Sequence, residues 1–236
     1  MSNSMQNQWQ WFENWLAENV PEVIDDLNEG CDLEQLAEVE NEIGLQLPQS
    51  FKDFYLIHNG QKDEDYFGLF YGVSLLPLNK ILEEMRVWNS IIDEYGEEGM
   101  KENFDYGQMS FLPSKLKAKY ASKKWLPFAI IYDNCYLGLD FNPEIEGKVG
   151  QVINFGREEE HKTVLATSFE EFIDWYIREL ERGNYLIYLE NEHKKFIPLE
   201  FKERFFRGFN YLSGYVATRF IGLEEEAKLK GLLEKL

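Results

Sequence analysis

Two cysteines, three histidines and 43 carboxylates are the groups in this 236-residue chain from which a reactive centre would have to be assembled. A nucleophile needs a base within hydrogen-bond reach and a third group to orient that base. Among Cys31, Cys135, His58, His161 and His193, the pair with the best prospect is Cys135 with His161, because both flank expected strands that can be neighbours. No nucleophile elbow or oxyanion loop accompanies them, so a cysteine-dependent hydrolase ranks behind the readings developed below. Two cysteines make neither a disulfide framework nor a four-cysteine zinc site, and each reads more simply as a buried structural thiol. His58 falls near a helix C-terminus, where the helix dipole favours an imidazole. Carboxylate pairs such as Glu83 with Glu84 and Glu97 with Glu98 read as solvated helix faces. No EF-hand and no paired-histidine helix is present, and Gly147 and Gly150 are not followed by a helix start carrying Lys and Ser or Thr, as a phosphate loop requires. Nothing in these patterns requires a cofactor or a metal, and the expectation is a protein that is not an enzyme.

The elements that would carry these groups are legible from periodicity. Trp9, Phe12, Leu16 and Val20 recur at helical spacing, with Trp11 and Trp15 beside them, and predict an amphipathic N-terminal helix that Pro21 ends. Asp32 and Gln35 have the spacing of a capping box for a helix carrying Leu33, Leu36, Val39 and Ile43, which Gly44 stops. Pro48 then opens a second helix with Phe51, Phe54 and Tyr55 on its apolar face, so the two form an αα-hairpin. Tyr66 to Leu76 reads as one or two strands. Ile81, Met85, Trp88, Ile92 and Tyr95 form a helical stripe closed by Gly96, and the stretch from there through Ser122 reads as an irregular, charged connection. Phe128 to Tyr132 and Tyr136 to Phe141 flank Asn134 as a hairpin, Val149 to Phe155 makes a third strand, and Lys162 to Ala166 a fourth. Ser168 and Glu171 predict a capping box for the helix that Gly183 ends.

Composition narrows the function classes. The chain is 44% hydrophobic and 16% aromatic, enough for a substantial core. A net charge of −19 opposes docking on phosphates, so direct nucleic-acid binding is disfavoured. The charge is uneven: Lys194 to Leu236 carries 9 basic and 6 acidic residues, leaving −22 on residues 1–193. No apolar run approaches the length of a membrane helix and no secretory leader is evident, so no membrane association is expected and a cytoplasmic location is. The expected organisation is an N-terminal amphipathic helix over residues 1–30, a core domain over 31–183, and an aromatic and basic C-terminal extension over 184–236 packed on that core.

Two separated stretches carry more identity than any catalytic motif. The first runs from Ile43 through Gly44, Leu45, Gln46, Leu47 and Pro48 to Phe51, Phe54, Tyr55, Asn59 and Gly60. The second runs from Trp125, Leu126, Pro127, Phe128 and Ala129 through Asp140, Pro143, Gly147, Gly150, Gln151 and Val152 to Ser168, Phe169 and Phe172. Together they resemble the SUKH superfamily, which holds bacterial toxin-immunity proteins and the fungal Smi/Knr regulators of cell-wall synthesis. The resemblance covers Asp32 to Arg182. It implies an α+β fold with a mostly antiparallel sheet flanked by helices, here with an N-terminal helix and an appended C-terminal extension. It also implies work by protein recognition. The first expectation is an immunity protein that binds a toxin domain, for which an acidic surface suits a basic nuclease groove. The alternative is a regulator or scaffold of cell-wall or envelope synthesis. For either, aromatics set among carboxylates are the expected partner contacts: Tyr66, Trp88, Trp125 and the run Glu158, Glu159 and Glu160, although each aromatic also reads as core.

Overall fold

A computed structural model describes residues 3–62, 68–132, 134–157, 159, 161–190 and 193–197. The N-terminal stripe folds as helix α1 (Asn3–Asn19), which buries Met5, Trp9, Phe12 and Leu16. Pro21 both ends that run and starts α2 (Pro21–Asp26), where its missing N–H leaves no donor orphaned. Helix α3 (Leu33–Ile43) has the expected reciprocal cap: Asp32 accepts from the Gln35 backbone at 2.8 Å and the Gln35 side chain accepts from Asp32 N at 3.0 Å. Gly44 takes the left-handed conformation at its end, with φ 63°. Pro48 is the N-cap of α4 (Gln49–Tyr55), one position earlier than a first-turn proline.

A five-stranded antiparallel sheet forms the middle of the molecule, in the order β1 (Ser74–Leu75), β3 (Trp125–Tyr132), β4 (Cys135–Asp140), β5 (Gln151–Gly156) and β7 (Val164–Ala166). Asn134, with φ 63°, turns the β3–β4 hairpin as its tolerance of that region predicts. Helix α6 (Phe169–Glu181) and α4 cover one face of this sheet. Phe51 and Phe54 meet Phe169 at 5.1 and 5.2 Å, Phe128 of β3 meets Phe169 at 5.3 Å, and Phe70 meets Phe172 at 5.3 Å. The phenols buried in this cluster reach backbone acceptors, Tyr55 on Leu76 O at 2.9 Å and Tyr176 on Leu69 O at 2.7 Å. Trp125, Tyr136 and Phe155 make a second aromatic group on β3, β4 and β5, against Trp88 of α5 (Leu78–Asn103).

Of the one or two strands expected over Tyr66 to Leu76, one is present among the described residues, Ser74–Leu75; Gly68 to Val73 is a tight turn, and Tyr66 lies outside them. Two expectations are corrected. The stripe of α5 does meet a break at Gly96 (φ 67°, ψ 178°), but the chain resumes helical geometry to Asn103, so the following connection is less irregular than its composition suggested. The single strand expected over Lys162 to Ala166 is two: β6 (His161–Lys162) pairs in parallel with β2 (Met109–Ser110), and only β7 joins the main sheet. A hairpin of β8 (Leu186–Glu190) and β9 (His193–Ile197) follows α6. Its Phe196 is buried against Trp15, Tyr71 and Tyr185, while the remainder of the expected extension, residues 198–236, lies outside the described residues.

Candidate functional site

The polar residues of the second sequence stretch converge on one buried point. Antiparallel register places Trp125 opposite Asp140 and Asp140 opposite Gln151. The Asp140 carboxylate is fully buried; Oδ1 accepts from the Trp125 indole at 3.0 Å and from Asn142 N at 2.9 Å, and Oδ2 accepts from the Gln151 amide at 2.9 Å. Burial pushes its carboxyl above the usual range, against the opposing hydrogen bonds from Asn142, Gln151 and Trp125 and the charge of Lys117. Gln151 also donates to Lys115 O at 2.9 Å and accepts from Lys148 N at 3.1 Å. These groups therefore satisfy one another and leave no reactive function directed outward.

What the cluster does is fix the β4–β5 connection. Gly150 N donates to Asp140 O at 2.7 Å, while Glu144 N and Glu146 N donate to Lys115 O and Ser114 O at 3.1 and 2.9 Å. Gly147 is required by contact: a Cβ there would lie 2.3 Å from Lys115 O, a backbone atom that cannot yield. On this anchored loop Ile145 is 95% exposed and Val149 71%.

The expected partner contacts are placed as follows. Trp125 is 2% exposed and Trp88 7%; Trp88 packs on Tyr120 and Tyr136 at 5.5 and 6.4 Å, so both rings belong to the interior. Glu84, read from sequence as a solvated face, accepts from the Tyr136 hydroxyl at 2.6 Å, and burial together with Glu84 holds that phenol far above its ordinary value. Glu159 is buried as well: its carboxylate accepts from Asn154 at 2.6 Å and its carbonyl from the buried Lys162 ammonium at 2.5 Å, while Lys162 also bonds Gln108. Glu158, Glu160 and Tyr66 lie outside the described residues. The expected set is thus not gathered into one exposed surface by its described members. Ile145 was missed, and Val149, expected to open the third strand, lies in the loop before β5 begins at Gln151; two branched aliphatics inside a turn-rich stretch of Pro, Glu, Gly and Lys were the available signal.

The thiols are also interior. Cys135 is fully buried on β4, and β6, which carries His161, pairs with β2 instead of lying beside it. Burial and the neighbouring Asp32 charge, opposed by a backbone hydrogen bond, push the Cys31 thiol up to about 11. His58 bridges Asn28 O at 2.9 Å and Glu13 Oε1 at 2.8 Å, tying α1 to the loop after α2. An open cleft of about 790 Å³ runs between Asn28, Gln35, Asn59, Lys62 and Asn79, but its amides brace the fold: Asn59 Oδ1 accepts from Leu78 N and Asn28 donates to Asn59 O. Among the described residues no three His, Cys, Asp or Glu side chains are grouped to hold a metal, and no helix is long and apolar enough to cross a membrane.

Both sequence stretches fall within the segment that comparison with known proteins matches. The profile of the SMI1/KNR4 family (SUKH-1) matches residues 30–175, from the start of the αα-hairpin to within α6. The chain belongs to the SMI1/KNR4 family. It is 30% identical over 216 residues to KNR4/SMI1 homolog 2 of Debaryomyces hansenii, covering 78% of this chain and 37% of that protein. It is 29% identical over 184 residues to the cell wall biosynthesis/cell cycle regulator smi1 of Schizosaccharomyces pombe, covering 76% and 36%. With the cell wall assembly regulator SMI1 of Saccharomyces cerevisiae it shares 25% over 213 residues, covering 78% and 42%. The chain thus spans about two fifths of the length of these SMI1/KNR4 relatives.

Proposed function

We propose that this chain is a non-enzymatic protein-binding domain that works in the regulation of cell-wall synthesis. The observation that carries the reading is the fate of the polar residues in the second sequence stretch: Trp125, Asp140 and Gln151 are consumed in holding one another, and what they hold in place is an exposed loop. Membership of a family whose matched relatives are named as regulators of cell-wall assembly supports the alternative weighed from sequence over toxin neutralisation. The buried thiols support a binding role over hydrolysis. Replacing the matched segment of the Saccharomyces cerevisiae regulator by this chain tests the proposal. Restored growth under cell-wall stress, with normal wall glucan, is expected. Failure to restore growth, together with one-to-one capture of a toxin domain whose activity the chain blocks, would return the function to immunity.

A further inference from the structure

The charge map of this acidic chain is not uniform. Of the 15 basic residues before Lys194, six lie between Lys115 and Lys148. Four of these lie in the β4–β5 loop or close to its ends. Lys115 pairs through its carbonyl with Glu144 N, Lys124 through its carbonyl with Phe141 N, Lys117 acts electrostatically on Asp140, and Lys148 is in the loop itself. Among the described residues Lys52, Lys80 and Lys123 are ion-paired with Glu40, Glu83 and Asp93, whereas these four make no ion pair. Ile145 and Val149 are exposed on this loop, among Glu144, Glu146 and Lys148, on a backbone that six hydrogen bonds to Asp140, Gln151 and residues 114–115 hold in place.

We propose that the β4–β5 loop is a docking surface, and that its occupant is a folded protein presenting a small aliphatic recess with a mainly acidic rim. This deepens the protein-binding reading above and rests on it. A side chain that is 95% exposed on a fixed loop is a protrusion, so the complementary surface is a recess; a thin peptide would need a groove on this side. The preordered loop loses little entropy on docking, so its two aliphatics act as anchors while the unpaired lysines set orientation. Half-buried Glu144 and exposed Glu146, on either side of Ile145, call for cations in the partner's otherwise acidic rim. The same carboxylates and the −22 charge of residues 1–193 disfavour an anionic lipid surface as the occupant.

Photocrosslinking in cells of the organism that carries the chain tests this. Benzoylphenylalanine is placed at Ile145 or Val149 of the full chain, and for comparison at Leu33 or Val87, which are 72% and 56% exposed elsewhere. The expected result is one protein adduct from positions 145 and 149 and not from 33 or 87, with the crosslinked partner segment carrying aliphatic residues among Asp and Glu. The combined Lys115→Glu, Lys117→Glu and Lys148→Glu variant, and separately Val149→Asp with the crosslinker at 145, should each lower the adduct about tenfold or more. Thermal melting of each variant establishes that it is folded. An adduct formed only from Leu33 or Val87, and indifferent to charge reversal, overturns this surface and leaves protein binding standing. Lipid adducts overturn it in favour of a membrane, and no adduct from any position overturns both readings.

Discussion

Asp140 accepts three hydrogen bonds in a place where desolvation opposes its charge, and an amide cannot copy that pattern. Asp140→Asn turns one acceptor into a donor facing the Gln151 amide or the Trp125 indole, and is expected to cost about 1–3 kcal/mol by urea denaturation. The pH dependence has a definite sign. Because the folded-state carboxyl is raised, the stability linked to its titration is complete below the ordinary value of 3.8 and fades as pH climbs through the raised value. The gap between parent and variant should therefore be wider at acid pH and narrow upward; a gap that widens with rising pH would contradict it. The thiols give a second prediction at this scale. With Cys31 held near 11 by burial and Cys135 fully enclosed, Ellman's reagent near neutral pH should titrate neither in the native protein and both in guanidinium. A fast-reacting native thiol would reopen the hydrolase.

At the scale of elements, the β4–β5 loop depends on the absence of a side chain at Gly147. Gly147→Ala drives a Cβ toward Lys115 O and Gln151 Oε1, and should destabilise by about 1–3 kcal/mol while disturbing Ile145 before it disturbs the sheet. Chemical shifts of Ile145 and Phe128 in the variant separate the two effects. Helix punctuation of this fold was legible because it is local: Asp32, Gln35, Gly44 and Pro48 act within a turn of where they stand. The box expected at Ser168 is only half made. Ser168 accepts from Glu171 N at 3.2 Å, but the Glu171 carboxylate turns to Thr167 N at 3.0 Å and to the Thr167 hydroxyl, a choice between adjacent donors that sequence does not distinguish. The split of β6 from β7 was not legible either, since it depends on Asn154 taking the Thr163 N–H with its side chain at 2.8 Å, a contact nine residues away. The surface was harder still. Tryptophan signals both interior and interface, and only packing against Phe155 and Tyr136 assigns Trp125 and Trp88 to the interior.

For the molecule as a whole, charge and truncation bear on the same question, which is where the stable body ends. Residues 1–193 carry −22 and repel themselves, so raising sodium chloride from low ionic strength should raise the melting temperature. A boundary at Gly183 was the expectation from sequence and is a proposal that truncation tests. Past it, Tyr71 donates to Asn184 O at 2.8 Å, Tyr185 meets Trp15 at 4.9 Å, and Phe196 fills the space between Trp15 and Tyr71. Ending the chain after Gly183 strips these contacts from α1 and Tyr71 and should cost about 3–5 kcal/mol, as loss of a buried phenylalanine does. Ending it after Ile197 keeps every one of them and should melt above the shorter form. Equal melting of the two truncated forms would show that the hairpin adds nothing to the body and that the Phe196 contact is incidental. A loss confined to the shorter form would instead make β8–β9 the strap that holds α1 against α6.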